Sequence, residues 1–142
     1  MANEWKGIIP EELYEYQGFV YIITNKLKEK SYIGKKFFWN KRTLPPLKGK
    51  KNNRIQYVES DWKNYWGSSR ELLQDIHTQG KQDFERYILG CFKTRWECAY
   101  EELKLQMEQE VVFRDDFYNN IINVRLGKPP KEVLEVYNGG KK

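Results

Sequence analysis

The chain has 142 residues, a formal net charge of +5, 39% hydrophobic residues and 15% aromatic residues. That length suits one domain with its own core, and the apolar content argues against a disordered chain. No apolar run approaches the roughly 20 residues of a membrane span, and Cys91 and Cys98, lacking a second pair, give neither a zinc site nor a disulfide framework.

Residues 1–17 read as an acidic, amphipathic N-terminal arm without a signal-peptide pattern. Together with two cysteines expected to stay reduced, this points to a cytoplasmic setting. Pro10, followed by Glu11, Glu12 and Leu13, predicts a helix start, with acids near the positive end of the dipole.

Residues 18–36 organise the rest. The run Phe19–Ile23 and the shorter run Ser31–Gly34 are split by polar residues and predict a β-hairpin. No Asn-Gly or Asp-Gly pair is present, so the connection is expected to be longer than a two-residue turn. Pairing of residues whose numbers sum to about 53 would put Tyr21 across from Tyr32, beside Gly34, where a ligand can approach the backbone.

Residues 36–60 read as a long basic loop, because Thr43–Leu47 contains two prolines that break regular structure. Between Lys26 and Arg54, eleven basic residues against one acid, Glu29, give about +10. Such asymmetry, with Phe37, Phe38 and Trp39 interleaved, suggests a nucleic-acid face. Lys35, Lys41, Lys48, Lys50 and Lys51 are the candidate DNA-binding lysines, and Arg54 could offer a bidentate fork to phosphate.

Trp62, Tyr65 and Trp66 share one face of a turn, either as base-stacking rings or as a core staple, the latter being favoured. Ser68 and Glu71 have capping-box spacing and predict a helix from near Ser69. Its stripe is Leu72, Leu73 and Ile76, and Gly80 ends it. His77, the sole histidine, falls on the polar side. Phe84–Phe92 reads as a third strand.

Thr94 is the expected N-cap of a helix over residues 95–112, with a seam of Trp96, Ala99, Leu103, Met107 and Val111. Glu102 lies beside that seam; taken alone, it reads as a solvated flank residue. Residues 117–125 read as a closing strand and 127–142 as a tail with mobile last residues. The whole is an α+β domain over residues 18–126, mainly an antiparallel three-stranded sheet flanked by helices.

Phe19-Val20-Tyr21 and Tyr32-Ile33-Gly34, with the tyrosines eleven residues apart, resemble the paired tripeptides of the GIY-YIG nucleases. The element order and the later Glu102 and Tyr118-Asn119 extend the resemblance from Gly18 to about Val124. The resemblance implies a metal-dependent DNA endonuclease that leaves 5′-phosphate and 3′-hydroxyl ends. It implies Tyr32 as general base, Tyr21 as the residue that positions the water and phosphate, Glu102 as ligand of one Mg²⁺ or Mn²⁺, and Asn119 as a further site residue. Lys36 or Lys35 would contact phosphate. The family arginine would be Arg42 by the usual spacing, or Arg54 by the later position in a stand-alone phage and restriction-type subgroup, Arg54 being slightly preferred. Homing, restriction and other roles stay open, in a bacterial or phage-infected cytoplasm. Cutting both strands would need a homodimer, a higher oligomer or sequential nicks. The altered first tripeptide leaves open a nucleic-acid-binding protein of the same fold that does not cut; a third reading is a small structural or inhibitory interaction protein whose aromatics form a partner surface.

Overall fold

The computed structural model describes residues 4–139. Its strands are β1 (Trp5–Gly7), β2 (Gly18–Asn25), β3 (Lys30–Phe37), β4 (Trp39–Leu44), β5 (Arg54–Glu59) and β6 (Phe84–Phe92). Its helices are α1 (Arg70–Gln79), α2 (Arg95–Glu108) and α3 (Lys131–Gly139). One sheet has the order β1-β6-β2-β3, and β4 and β5 form a separate two-stranded ribbon. The three antiparallel strands expected from the sequence are β6, β2 and β3; β1 adds in parallel to β6.

β2 is apolar from Phe19 to Ile23 because it is covered on both faces. Phe19, Tyr21 and Ile23 face one core with Trp62, Trp66, Leu72, Ile76 and Tyr118. Val20 faces a second, smaller core with Ile33 and Val111. The aromatic trio is therefore largely a staple: Trp62 and Trp66 are buried, and the Trp5 indole Nε1 donates to the Trp62 carbonyl at 2.7 Å.

The hairpin register differs from the expected one. Tyr21 pairs with Gly34, and Ile23 with Tyr32, so the residue numbers sum to 55. The difference comes from the turn, where the buried Asn25 amide oxygen accepts from Leu27 and Lys28 N–H and Glu29 takes a left-handed conformation. A slip of two keeps every side chain on its face, so Tyr21 and Tyr32 still meet, diagonally, with ring centroids 6.2 Å apart.

Four further segments depart from the sequence reading. The segment read as a basic loop is mostly the β4–β5 ribbon; Pro45 and Pro46 lie just past β4, where they remove no ladder hydrogen bond. The residues after Pro10 form a single 3-10 turn over Leu13–Glu15 instead of an α-helix. α2 stops at Glu108, Glu110 turns left-handed, and Val111 tucks into the second core from a 3-10 turn. The closing strand is reduced to one parallel bridge between Phe117 and Ser31. The tail contains α3, and its last residues lie outside the described residues.

Candidate active site

β3 is the outer strand of the sheet, so a groove along its edge can collect side chains from both faces. Such a groove, about 630 Å³, is lined by Tyr32, Lys35, Ser68, Arg70, Glu102 and Asn119, among others.

Tyr32 reaches it from the α1 side of β3. Its hydroxyl lies 3.1 Å from Ser68 Oγ. Ser69, not Ser68, caps α1, accepting from Leu72 N–H at 3.3 Å. Ser68 is thereby left for the tyrosine, and Arg70 stands at the first position of the helix, on the cleft wall. Burial pushes the Tyr32 phenol above its ordinary value, partly countered by the Ser68 hydrogen bond.

Tyr21 lies beneath the cleft and is almost wholly buried. Burial pushes its phenol well above its ordinary value, and the Tyr65 and Tyr32 phenols add to the shift. A positive φ of +92° at Gly67 lets the chain cross above the two tyrosines, and a Cβ there would sit 3.5 Å from the Tyr21 hydroxyl and from Tyr32.

Lys35 and Glu102 enter from the α2 side. Lys35 Nζ lies 3.3 Å from Glu102 Oε1, and the carboxylate is 15% exposed. Burial holds the Glu102 carboxyl above its ordinary range, against the pull of Lys35. The core-facing stripe of α2 runs through Cys98, Glu102, Leu105 and Gln106, while Met107, expected in the seam, is 61% exposed. This rotation carries Glu102 from a solvated flank to the cleft wall.

Asn119 completes the edge of β3. Asp116 O accepts from Ser31 N–H at 3.0 Å, and Tyr118 N–H donates to Ser31 O at 2.7 Å. Two residues further on, the Asn119 amide replaces a backbone: its oxygen accepts from Ile33 N–H at 2.9 Å and its nitrogen donates to Ile33 O at 2.8 Å. Gln106 also donates to Ile33 O, at 3.0 Å. The Tyr118 hydroxyl, buried and pushed up to about 12, donates to Asp75 Oδ2 at 2.7 Å.

The structure thus brings together Tyr32, Lys35, Glu102 and Asn119, with Tyr21 directly below. Arg42, Arg54 and Lys36 do not reach the cleft. Arg42 and Arg54 project from the ribbon, and Arg54 Nε donates to Pro45 O at 3.2 Å. Lys36 pairs with Asp61 at 2.7 Å and lies over the Tyr65 ring at 4.2 Å. Lys41, Lys48, Lys50 and Lys51 are exposed on the ribbon and its tip. The arginine present in the cleft is Arg70, which sequence reading missed; its position just after a serine pair at a helix start was the available signal.

Among the described residues no group of three or more His, Cys, Asp or Glu side chains forms a metal cage. The donor set at the cleft is a single semi-buried carboxylate beside open, polar space, which suits Mg²⁺ held by one carboxylate, waters and substrate phosphate.

The family model described as "Putative endonuclease segE, GIY-YIG domain" matches residues 4–122, from just before β1 to just past Asn119. The chain belongs to this GIY-YIG endonuclease family. No curated protein and no solved structure matches it. No helix among the described residues is long and apolar enough to cross a membrane.

Proposed function

We propose that the protein is a metal-dependent DNA endonuclease that hydrolyses phosphodiester bonds to 5′-phosphate and 3′-hydroxyl ends. The observation that carries this reading is the meeting of Tyr32, Arg70, Lys35 and Glu102 at one cleft in a chain of an endonuclease family.

Tyr32 takes the proton of the attacking water, and Ser68 holds its hydroxyl in place. Arg70 presents a planar fork to the phosphoryl oxygens, aided by the positive end of α1. When bound at Glu102, a Mg²⁺ or Mn²⁺ would supply stabilisation of the charge that develops on the leaving oxygen. Lys35, released from Glu102, then faces the same phosphate. Tyr21 and Asn119 act as positioning residues, the first beneath Gly34 and the second along Ile33. One cleft supplies one set of these groups, so double-strand cleavage takes two copies or two successive nicks. The working compartment is the cytoplasm.

The Lys35–Glu102 ion pair favours one second reading: a protein of this fold that binds nucleic acid with its carboxylate already neutralised. Supercoiled plasmid incubated with Mg²⁺ or Mn²⁺, with Glu102→Ala alongside, separates the two. Nicked or linear products from the unaltered protein alone support the endonuclease. A salt-sensitive shift without cutting supports the second reading.

A further inference from the structure

The β4–β5 ribbon lies outside the cleft, and the chemistry on its two faces differs. Strand alternation and the register place Trp39, Lys41 and Thr43 on one face, with Ile55, Tyr57 and Glu59 opposite them. The root of this face is turned to the domain: Trp39 stacks on Tyr14 with centroids 5.5 Å apart, and its Nε1 donates to Tyr16 O at 2.9 Å, while Lys41, Thr43, Ile55 and Tyr57 further out are exposed. The other face carries Asn40, Arg42 and Leu44, paired with Val58, Gln56 and Arg54. Asn40, Arg42, Arg54 and Gln56 are exposed, and the side chains of Asn40, Arg42 and Gln56 have no partner among the described residues.

Two arginines and two amides on one face of a ribbon are the side chains that read base edges. Arginine forks match guanine O6 and N7, and asparagine or glutamine amides match adenine N6 and N7. A two-stranded ribbon fits the major groove, which is about 12 Å wide. At the tip, Lys48, Lys50 and Lys51 are exposed and add charge without a planar fork, which suits phosphate contacts. The ribbon carries six basic residues and one acid, so its charge complements DNA.

The root is also firm. Arg95 Nη2 donates to Trp39 O at 2.8 Å, and Ser60 bonds to Phe37 O and Phe38 O at 2.7 Å each. β4 begins four residues beyond Lys35 of the cleft, about 13 Å along an extended chain. Six residues per strand give the ribbon a reach of about 20 Å.

We propose that the β4–β5 ribbon is the sequence-reading element of this protein, laid in the DNA major groove with Arg42 and Gln56 as its central base-reading pair. Arg54 and Asn40 read to either side, and the tip lysines hold the backbone. The bases read lie within about one helical turn, roughly 34 Å, of the phosphate in the cleft. This inference rests on the proposed DNA endonuclease function for its choice of ligand, and the test keeps the two apart.

The experiment binds the full-length protein, without metal, to a random-sequence duplex library and sequences the bound fraction. The unaltered protein is expected to enrich a short motif. Arg42→Ala with Gln56→Ala should lose roughly 5- to 150-fold discrimination at the base pairs each side chain reads. Replacing Lys48, Lys50 and Lys51 by alanine should weaken binding evenly and lower the salt slope by about 1 per lysine, leaving the motif unchanged. A motif that persists in the Arg42 and Gln56 variant overturns the proposal, as does binding without any motif, or no binding at all. The same library with Mg²⁺ reads the endonuclease function separately: cutting without a ribbon-dependent motif leaves the endonuclease standing and the ribbon reading lost. A ribbon-dependent motif without cutting does the reverse.

Discussion

The phenolic hydroxyl of Tyr21 occupies the space that a side chain on Gly34 would need. A Cβ on Gly34 would lie 2.5 Å from that oxygen, 2.7 Å from Tyr21 Cζ and 3.0 Å from Tyr32 Cε2. The glycine of the second tripeptide is thus fixed by the tyrosine of the first, one residue pair across the hairpin. Gly34→Ala should cost about 1–3 kcal/mol as an overpacked core substitution. It should also cut DNA cleavage more than tenfold, because the rings displaced are Tyr21 and, beside it, Tyr32. Urea unfolding and plasmid nicking read the two effects. Tyr21→Phe removes the oxygen but not the ring, so the double variant should regain only part of the stability; full recovery would refute the steric account.

Asn119 is bound on both amide atoms to Ile33, which makes it a support for β3. In Asn119→Ala, Gln106 still serves the Ile33 carbonyl, while the buried N–H loses its partner. The expected cost is about 1–3 kcal/mol, the penalty of one unsatisfied buried donor. Hydrogen exchange at the Ile33 amide should accelerate by more than the global loss of stability explains. A protected amide in the variant would place the role of Asn119 in the cleft instead.

What the sequence disclosed follows from where its physics is local. β2, β3 and β6 appear as β-branched and aromatic runs, and Thr94 stands at the helix start it caps, whereas the capping-box spacing of Ser68 and Glu71 marked α1 one residue before its true cap, Ser69. The hairpin register escaped by two residues because it is set by the Asn25 cap and the four-residue turn, which no turn signature announces. The ribbon was hidden by Pro45 and Pro46, whose strand-breaking signal belongs to its tip.

The cleft itself was half legible for a related reason. α2 buries Gln106 and half-buries Glu102 on the face that a purely structural helix would fill with leucine, so its apolar period points to the wrong stripe. Functional sites are where local pattern and fold disagree. Arg70 escaped because its place on the cleft wall depends on how α1 docks, whereas Arg42 and Arg54 were conspicuous through their basic neighbours.

Arg70 is expected to supply the cleft's charge on the phosphoryl group. Arg70→Ala should lower single-turnover cleavage at saturating DNA by about 10²–10³-fold, the usual loss for one preorganised electrostatic group. Arg70→Lys keeps the charge and loses the fork, so it should recover only part of that rate. Both variants should melt within a few degrees of the parent protein, since the side chain makes no hydrogen bond or ion pair among the described residues. Cleavage within threefold of the parent in Arg70→Ala would remove the assignment.

Glu102 offers a test of metal binding that needs no DNA. A ligand that binds only the folded state at 100 times its dissociation constant stabilises by about 2.7 kcal/mol. Millimolar Mn²⁺ should therefore raise the melting temperature of the parent protein, and Glu102→Gln should abolish that rise. Lys35→Met should enlarge it, because Lys35 Nζ, 3.3 Å from the carboxylate, competes for the same oxygen. An equal metal-induced shift in Glu102→Gln would locate the cation elsewhere.

Tyr32 fixes the expected pH dependence. A base must be deprotonated to accept a proton, and burial moves this phenol above its ordinary value of 10.0. The phenolate fraction thus grows as pH rises toward that value, and the opposite sign would apply to an acid. Single-turnover cleavage at saturating metal should rise about tenfold per pH unit between pH 7 and 9. Ser68→Ala removes the hydrogen bond that pulls the phenol down, so its profile should move to higher pH with the same slope. Tyr32→Phe should show no pH-dependent cleavage while retaining DNA binding. A flat profile over that interval in the parent protein would assign proton removal to another group in the cleft.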